Sequence, residues 1–242
     1  MTVRNCRFCN FHLTKIFVNL GKAPLANSYL KKKEFCNEKS FPLCVYVCEN
    51  CFLVQLEEIV SPEKIFSEYA YFSSYSDSWL KHAKNYVENI ISRFPINKNS
   101  LVIEIASNDG YLLQYFQEKK IPILGIEPAE NVAKTAIEKN IPTITKFFNS
   151  EIANKLLNDK KSADLIVGNN VLAHVPNLND FIKGLKIILK PKGIITLEFP
   201  HLLQLIKFNQ FDTIYHEHFS YFSLISLEKI FLFHKLKIFD VE

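Results

Sequence analysis

Four cysteines carry the clearest chemistry in the sequence. Cys6 and Cys9 form one CxxC pair, and Cys48 and Cys51 form a second. Each pair can present two thiolates from a tight turn, and two pairs together complete a tetrahedral zinc site. Four sulfur ligands leave zinc no open position, so the site is expected to be structural, folding a segment otherwise too small to fold. The interval between the pairs is longer than in a compact zinc ribbon, and iron, redox-active pairs or unligated buried thiols are the alternatives. Cys36 and Cys44 fall outside the pattern and read as small hydrophobes.

A second group follows the apolar run LVIEI, where ASNDGYLLQYF reads as a turn of small and polar residues, Gly110, and then an amphipathic helix. Such a turn lets the backbone approach a nucleotide closely. Glu104 and Asp109 can bind ammonium or hydroxyl groups there, although a generic dinucleotide loop would have glycine where this chain has Ala106. Glu127 ends the next apolar run about 20 residues on, the interval at which an acid accepts hydrogen bonds from both ribose hydroxyls. It could equally cap the helix after Pro128. Gly168, Asn169 and Asn170 close a further strand, with His174 on the next turn. In YHEH, His216 and His218 stand two apart; by spacing alone they read as surface or core-edge residues, or as part of a metal site with no evident third ligand.

These groups need positioning elements. LVIEI, PILGIE, PTIT, ADLIVGNN and GIITLEF read as strands, with helices near 111–120, 129–139, 150–158 and 178–189. Continuous apolar strands alternating with helices predict an α/β domain with a doubly wound, mostly parallel sheet, whose ligands sit at the strands' carboxyl ends. Upstream, Ser61 and Pro62 start a helix, a second runs from Ser78 to Arg93, and Pro95 closes it. Three zones result: a zinc-binding module over 1–60, a helical linker over 61–99 and a nucleotide-binding domain over 100–242.

Composition narrows the partners. The chain has 242 residues, 48% of them hydrophobic, enough for one full core and a small appendage. Its net charge of +4 comes from scattered lysines, without a dense basic block, which argues against nucleic acid. The N-terminus MTVRNCRFCN lacks a signal peptide's apolar core, and no run of about 18 apolar residues occurs, so a soluble cytoplasmic protein is expected.

The paired CxxC motifs, YAYFSSYS, EIASNDGYLLQ, GIEPAENVA, NNVLAHVPNLNDF and EFPHLLQLI leading into QFDTIYHEHFSYFSL together resemble the zinc-containing sugar C-methyltransferases. The resemblance covers the whole chain. It implies a class I S-adenosylmethionine (SAM) methyltransferase fold, SAM as cofactor, structural Zn2+, and methylation at the carbon beside the ketone of a dTDP-linked 4-keto-6-deoxysugar. It further implies that Glu104, Ser107, Asn108, Gly110, Glu127, Phe148 and Asn169 line the SAM pocket, and that Tyr215, Glu217 and His218 face the sugar with Tyr69 and His174 nearby. Carbon methylation needs a base for the α-proton and a donor for the enolate oxygen. On that chemistry His218 is the expected base, Glu217 its orienter or a sugar ligand, and Tyr215 the enolate donor.

Members of that family are longer. After a strand read at LKIFDVE they continue with a glycine-rich segment, a last sheet strand and a C-terminal domain. An expressed fragment, a truncated gene product, or half of a split enzyme completed by a second polypeptide would each account for the difference. O- or N-methylation of a related sugar and an inactive scaffold module are the competing functions.

Overall fold

The computed structural model describes residues 4–27, 29–57, 60–66 and 69–242. Met1, Thr2 and Val3 of the polar N-terminal stretch lie outside them. Three strands come first, β1 (Lys15–Ala23), β2 (Phe41–Val47) and β3 (Val54–Leu56). Pro62 opens α1 (Pro62–Phe66), and α2 (Asp77–Arg93) follows. The Ser76 side chain accepts from Trp79 N, and Asp77 and Arg93 lie at the ends of α2 that suit their charges. Phe94, which precedes Pro95, is extended and ends the helix.

Strands and helices then alternate. They are β4 (Val102–Ile105), α3 (Leu113–Glu118), β5 (Ile123–Ile126), α4 (Glu130–Glu138), β6 (Thr143–Ile144), α5 (Ser150–Asn158), β7 (Ala163–Asn169), α6 (Leu178–Ile188) and β8 (Leu189–Glu198). After them come α7 (Leu202–Lys207), β9 (Ser220–Tyr221) and α8 (Leu224–Phe233). Among the described residues no helix is long and apolar enough to cross a membrane.

The chain divides into two compact units that are not consecutive in sequence. One comprises Phe66–Val171 and Lys183–Glu198 and holds the parallel sheet, in the order β6-β5-β4-β7-β8. Its strand order reverses at β4, between β5 and β7, which opens a crevice at the carboxyl end of β4. Ala83, Val87 and Ile90 of α2 pack with Val102 of β4, Leu165 and Val167 of β7, and Phe116 of α3. That apolar contact anchors β4 and the turn that leaves it.

The other unit comprises Met1–Ile65, Leu172–Ile182 and Phe199–Glu242, and holds an antiparallel sheet ordered β1-β2-β3-β9. The N-terminal strands do lack apolar mass of their own. Leu43, Val45, Val54 and Leu56 are buried together with Leu202, Leu205, Ile214 and Tyr221 from the far end of the chain.

The strand expected at LKIFDVE is absent: residues 236–242 have no ladder partner among the described residues. Phe239 and Val241 are 61% and 64% exposed. An apolar pattern makes a strand only where another strand supplies hydrogen bonds and a face to bury against.

Gly125 lets β5 run beside the turn after β4. A Cβ there would overlap Ser107 Oγ and lie 3.1 Å from Thr143 Oγ1. Gly125→Ala is expected to cost about 1–3 kcal/mol in denaturant unfolding, most of it recovered when Ser107→Gly is added. Equal costs with and without the second substitution would show that the overlap lies elsewhere.

Candidate functional site

In the parallel-sheet unit, the turn after β4 holds Ala106, Asn108 and Gly110 at φ of 58°, 49° and 79°. Ala106 takes a left-handed conformation that costs about 1–2 kcal/mol for an L-residue. At Gly110 a Cβ would also overlap Ile141 Cδ1, so glycine is required both for conformation and for space. The contorted turn aims Asn108 N at Glu127 Oε2, 2.9 Å away, while Ala129 N donates to Oε1 at 2.9 Å. Glu127 therefore does cap the start of α4. Two bonds leave a carboxylate room for two further donors, the requirement of a ribose diol. Burial pushes Glu127 up to about 7, against the pull of the Ala129 and Asn108 amides.

Glu104 is fully buried, and neither of its carboxylate oxygens has a hydrogen-bond partner. Burial holds its carboxyl well above the usual range; Tyr111 opposes this, and the charges of Glu127 and Asp109 add to it. Ser107 Oγ and Asn169 Nδ2 are also buried without partners. Phe148 is half-buried, and a Cβ on Gly184 of α6 would lie 3.0 Å from its ring. The Asn108 side chain is committed: Nδ2 donates to Tyr71 O, and Oδ1 accepts from Ser73 N and Asp109 N. Only its backbone serves the cradle. An ammonium-bearing nucleoside such as SAM fits these donors and acceptors, with Glu104 for the amino group and Glu127 for the ribose. Tyr69 belongs to this same unit.

In the antiparallel-sheet unit, His218 and His174 lie with ring centroids 4.7 Å apart. His218 Nδ1 donates to Thr213 O at 2.8 Å, which makes Nε2 the acceptor of the Tyr215 hydroxyl at 2.9 Å. His174 Nδ1 donates to the Glu217 carbonyl at 2.9 Å. Burial lowers His218 to about 4, and burial with the neighbouring His218 charge lowers His174 to about 3. Burial also raises Tyr215 to about 12. Neutral imidazoles and a neutral phenol therefore meet at physiological pH.

The Glu217 carboxylate is not the orienter of His218, because both ring nitrogens of that histidine are already bonded to Thr213 and Tyr215. Its Oε1 accepts from Asn27 Nδ2 at 2.7 Å, while Oε2 is buried without a partner. His216 points elsewhere, its Nε2 donating to Pro42 O at 3.1 Å. At 3% and 7% exposure, His216 and His218 are not surface residues.

The same unit holds the cysteine cluster. Cys6, Cys9, Cys48 and Cys51 have all four Sγ atoms within 4.8 Å of one another, and among the described residues no other group of three or more potential ligands gathers so closely. The Cys6–Cys51 and Cys9–Cys48 sulfurs are 3.5 Å apart, near the ~3.8 Å edge of a tetrahedron with Zn–S of about 2.3 Å. Both turns are built alike. Asn10 N donates to Cys6 O and Phe52 N to Cys48 O, with Asn10 at φ 60° and Phe52 at φ 64°. The Cys6–Cys51 hydrogen bond pulls Cys6 below the usual thiol range and pushes its partner Cys51 above it, as when two close thiols share one proton. Gln55, which the sequence did not mark, donates from Nε2 to Cys6 Sγ at 3.1 Å. Cys44 is half-buried and Cys36 exposed, both outside the cluster.

Residues 79–236 match the family described as "Methyltransferase domain", and residues 6–66 match one described as "Putative zinc binding domain". The C-methyltransferase NovU of Streptomyces niveus is 35% identical over 99% of this chain, which spans 57% of that relative's length. A SAM-dependent methyltransferase from Archaeoglobus fulgidus superposes with a TM-score of 0.52 at 19% identity, over 64% of this chain and 68% of that one. The YcgJ protein of Bacillus subtilis gives 0.50 at 13% identity, again over 64% and 68%. The chain has the class I SAM methyltransferase fold.

Because Glu127 must be ionised to accept two hydroxyls, affinity for S-adenosylhomocysteine should rise several-fold as pH is raised through about 7. Calorimetry between about pH 6 and about pH 8 reads this, and Glu127→Gln should weaken binding and make the profile shallower, the dependence that remains coming from Glu104. A pH-independent affinity in the unsubstituted chain would take Glu127 out of the ribose site.

Proposed function

The chain belongs to the methyltransferase family, and from that premise we propose that it methylates carbon, at the position beside the ketone of a dTDP-linked 4-keto-6-deoxysugar. The 35% identity to a C-methyltransferase supports this reading. The observation that carries it is the buried Tyr215–His218 pair. Methylating oxygen or nitrogen calls for no removal of a C–H proton, whereas a neutral imidazole behind a phenol is equipment for enolisation. The division into a zinc module to residue 60, a linker to 99 and a cofactor domain from 100 belongs to the same proposal, as does a reducing cytoplasmic setting.

Bound in its cradle, SAM supplies a methyl group activated by a sulfonium. The chain's own task is to make a carbon nucleophile and hold it still. His218 is neutral above about pH 4, and its Nε2 lone pair is engaged by the Tyr215 hydroxyl. When that hydroxyl turns to the substrate's ketone oxygen, Nε2 is released to take the α-proton. Tyr215, kept protonated by burial, then donates to the enolate oxygen. The Thr213 carbonyl fixes the tautomer and stabilises the imidazolium that forms. The unpartnered Glu217 Oε2 and the half-buried His174 are the further groups offered to the sugar. Cys6, Cys9, Cys48 and Cys51 would hold zinc, and with four thiolates around it the metal would hold the fold and keep no open position for the reaction.

Solvent deuterium exchange tests the reading. With keto-sugar nucleotide and S-adenosylhomocysteine, the chain should wash deuterium into the α position. His218→Ala should slow this by about 100-fold or more while leaving S-adenosylhomocysteine affinity unchanged. If the unsubstituted chain binds the nucleoside but exchanges nothing, carbon methylation fails. Unchanged exchange in the variant would remove His218 as base.

A further inference from the structure

The stretch Tyr69–Tyr75 has no regular structure beyond one tight turn at Ser73–Tyr75. Its backbone is nonetheless fastened at five points by side chains from two places. Asn131 clamps Tyr69 from both sides, accepting from its N–H at 3.1 Å and donating to its carbonyl at 2.7 Å. Asn108 holds Tyr71 O at 3.1 Å and Ser73 N at 3.0 Å, and Asp109 Oδ2 accepts from Ser74 N at 3.3 Å. Lys139 closes the set, its Nζ reaching Ser74 Oγ at 3.0 Å and Asp109 O at 2.9 Å.

The fasteners are the cofactor cradle seen from its other side. Asn108 and Asp109 lie in the left-handed turn whose Asn108 N–H is given to Glu127. Asn131 lies one residue into α4, and Glu127 also holds the amide of Ala129, the residue that caps this helix. A ribose on Glu127 would fix that carboxylate, and through it both the Asn108 backbone and the start of α4. Whatever orders these two elements orders the strap. We infer that Asn131 is a positioning residue for Tyr69, and that filling the nucleoside cradle and ordering the strap Tyr69–Tyr75 are thermodynamically linked; this rests on the cofactor assignment of the cradle. The link is reciprocal: loosening the strap must weaken the nucleoside by the factor that the nucleoside tightens the strap.

Hydrogen exchange on the full chain, with and without S-adenosylhomocysteine, reads both sides. In the unsubstituted protein the nucleoside should slow exchange of the strap amides by at least about fivefold. Asn131→Ala should abolish that gain and weaken the nucleoside by a matching factor, with the amides of β4 and β7 unchanged. Asn131→Asp keeps the acceptor for Tyr69 N–H and should restore part of both effects, which a lesion in folding alone would not do. The link is overturned if the nucleoside binds yet leaves strap exchange unaltered, or if Asn131→Ala keeps the native protection and affinity. Failure of the unsubstituted chain to bind the nucleoside would overturn the cradle along with the link, and strap exchange in Asn131→Ala alone would still judge the clamp.

Discussion

A carboxyl group buried away from water with no hydrogen-bond partner can ionise only at great cost, and burial holds Glu104 in that state with its carboxyl well above the usual range. The surrounding fold makes it so. The apolar face of α2 packs against β4 and β7 and excludes solvent, and the strand order reverses at β4, the place where sheets of this kind bind their ligands. Ser107 and Asn169 are left unsatisfied with it. One positively charged, hydroxyl-bearing partner would satisfy these groups together, and the left-handed turn from Ala106 to Gly110 is the backbone strain that brings Glu127 into the same arrangement.

The second unit solves a different problem, that of holding buried polar and sulfur-bearing side chains on a very small core. Each CxxC turn is closed by a left-handed residue, and the two turns bring four sulfurs together. Gln55 of β3 ties that cluster to the sheet. Gln55 is also paired in register with Ser220 of β9, two residues beyond His218. Gln55 thus links the cysteine cluster to the strand that follows His218.

Much of this was legible in the sequence, where the chemistry is carried by side-chain type at fixed spacing. The CxxC pairs, the turn after the first parallel strand and the acid ending the second need nothing but local pattern. What escaped depends on distant chain. The Thr213 carbonyl that holds His218 has no sequence signature, because every residue carries a carbonyl. Asn27 meets Glu217 across 190 residues, which made an adjacent carboxylate the natural but mistaken orienter of His218. β1 and β9 went unread because a long, exposed first strand and a two-residue last one show little apolar periodicity. LKIFDVE errs the other way, with the pattern of a strand but no neighbour to pair with.

The protonation of Glu104 tests the central claim most directly. Difference infrared spectroscopy, with Glu104→Gln to assign the band, reports whether its carboxyl carries a proton near neutral pH with and without S-adenosylhomocysteine. The account predicts a protonated carboxyl in the free chain that ionises when the nucleoside's ammonium arrives. An ionised Glu104 in the free chain, or a band that binding leaves untouched, would contradict it.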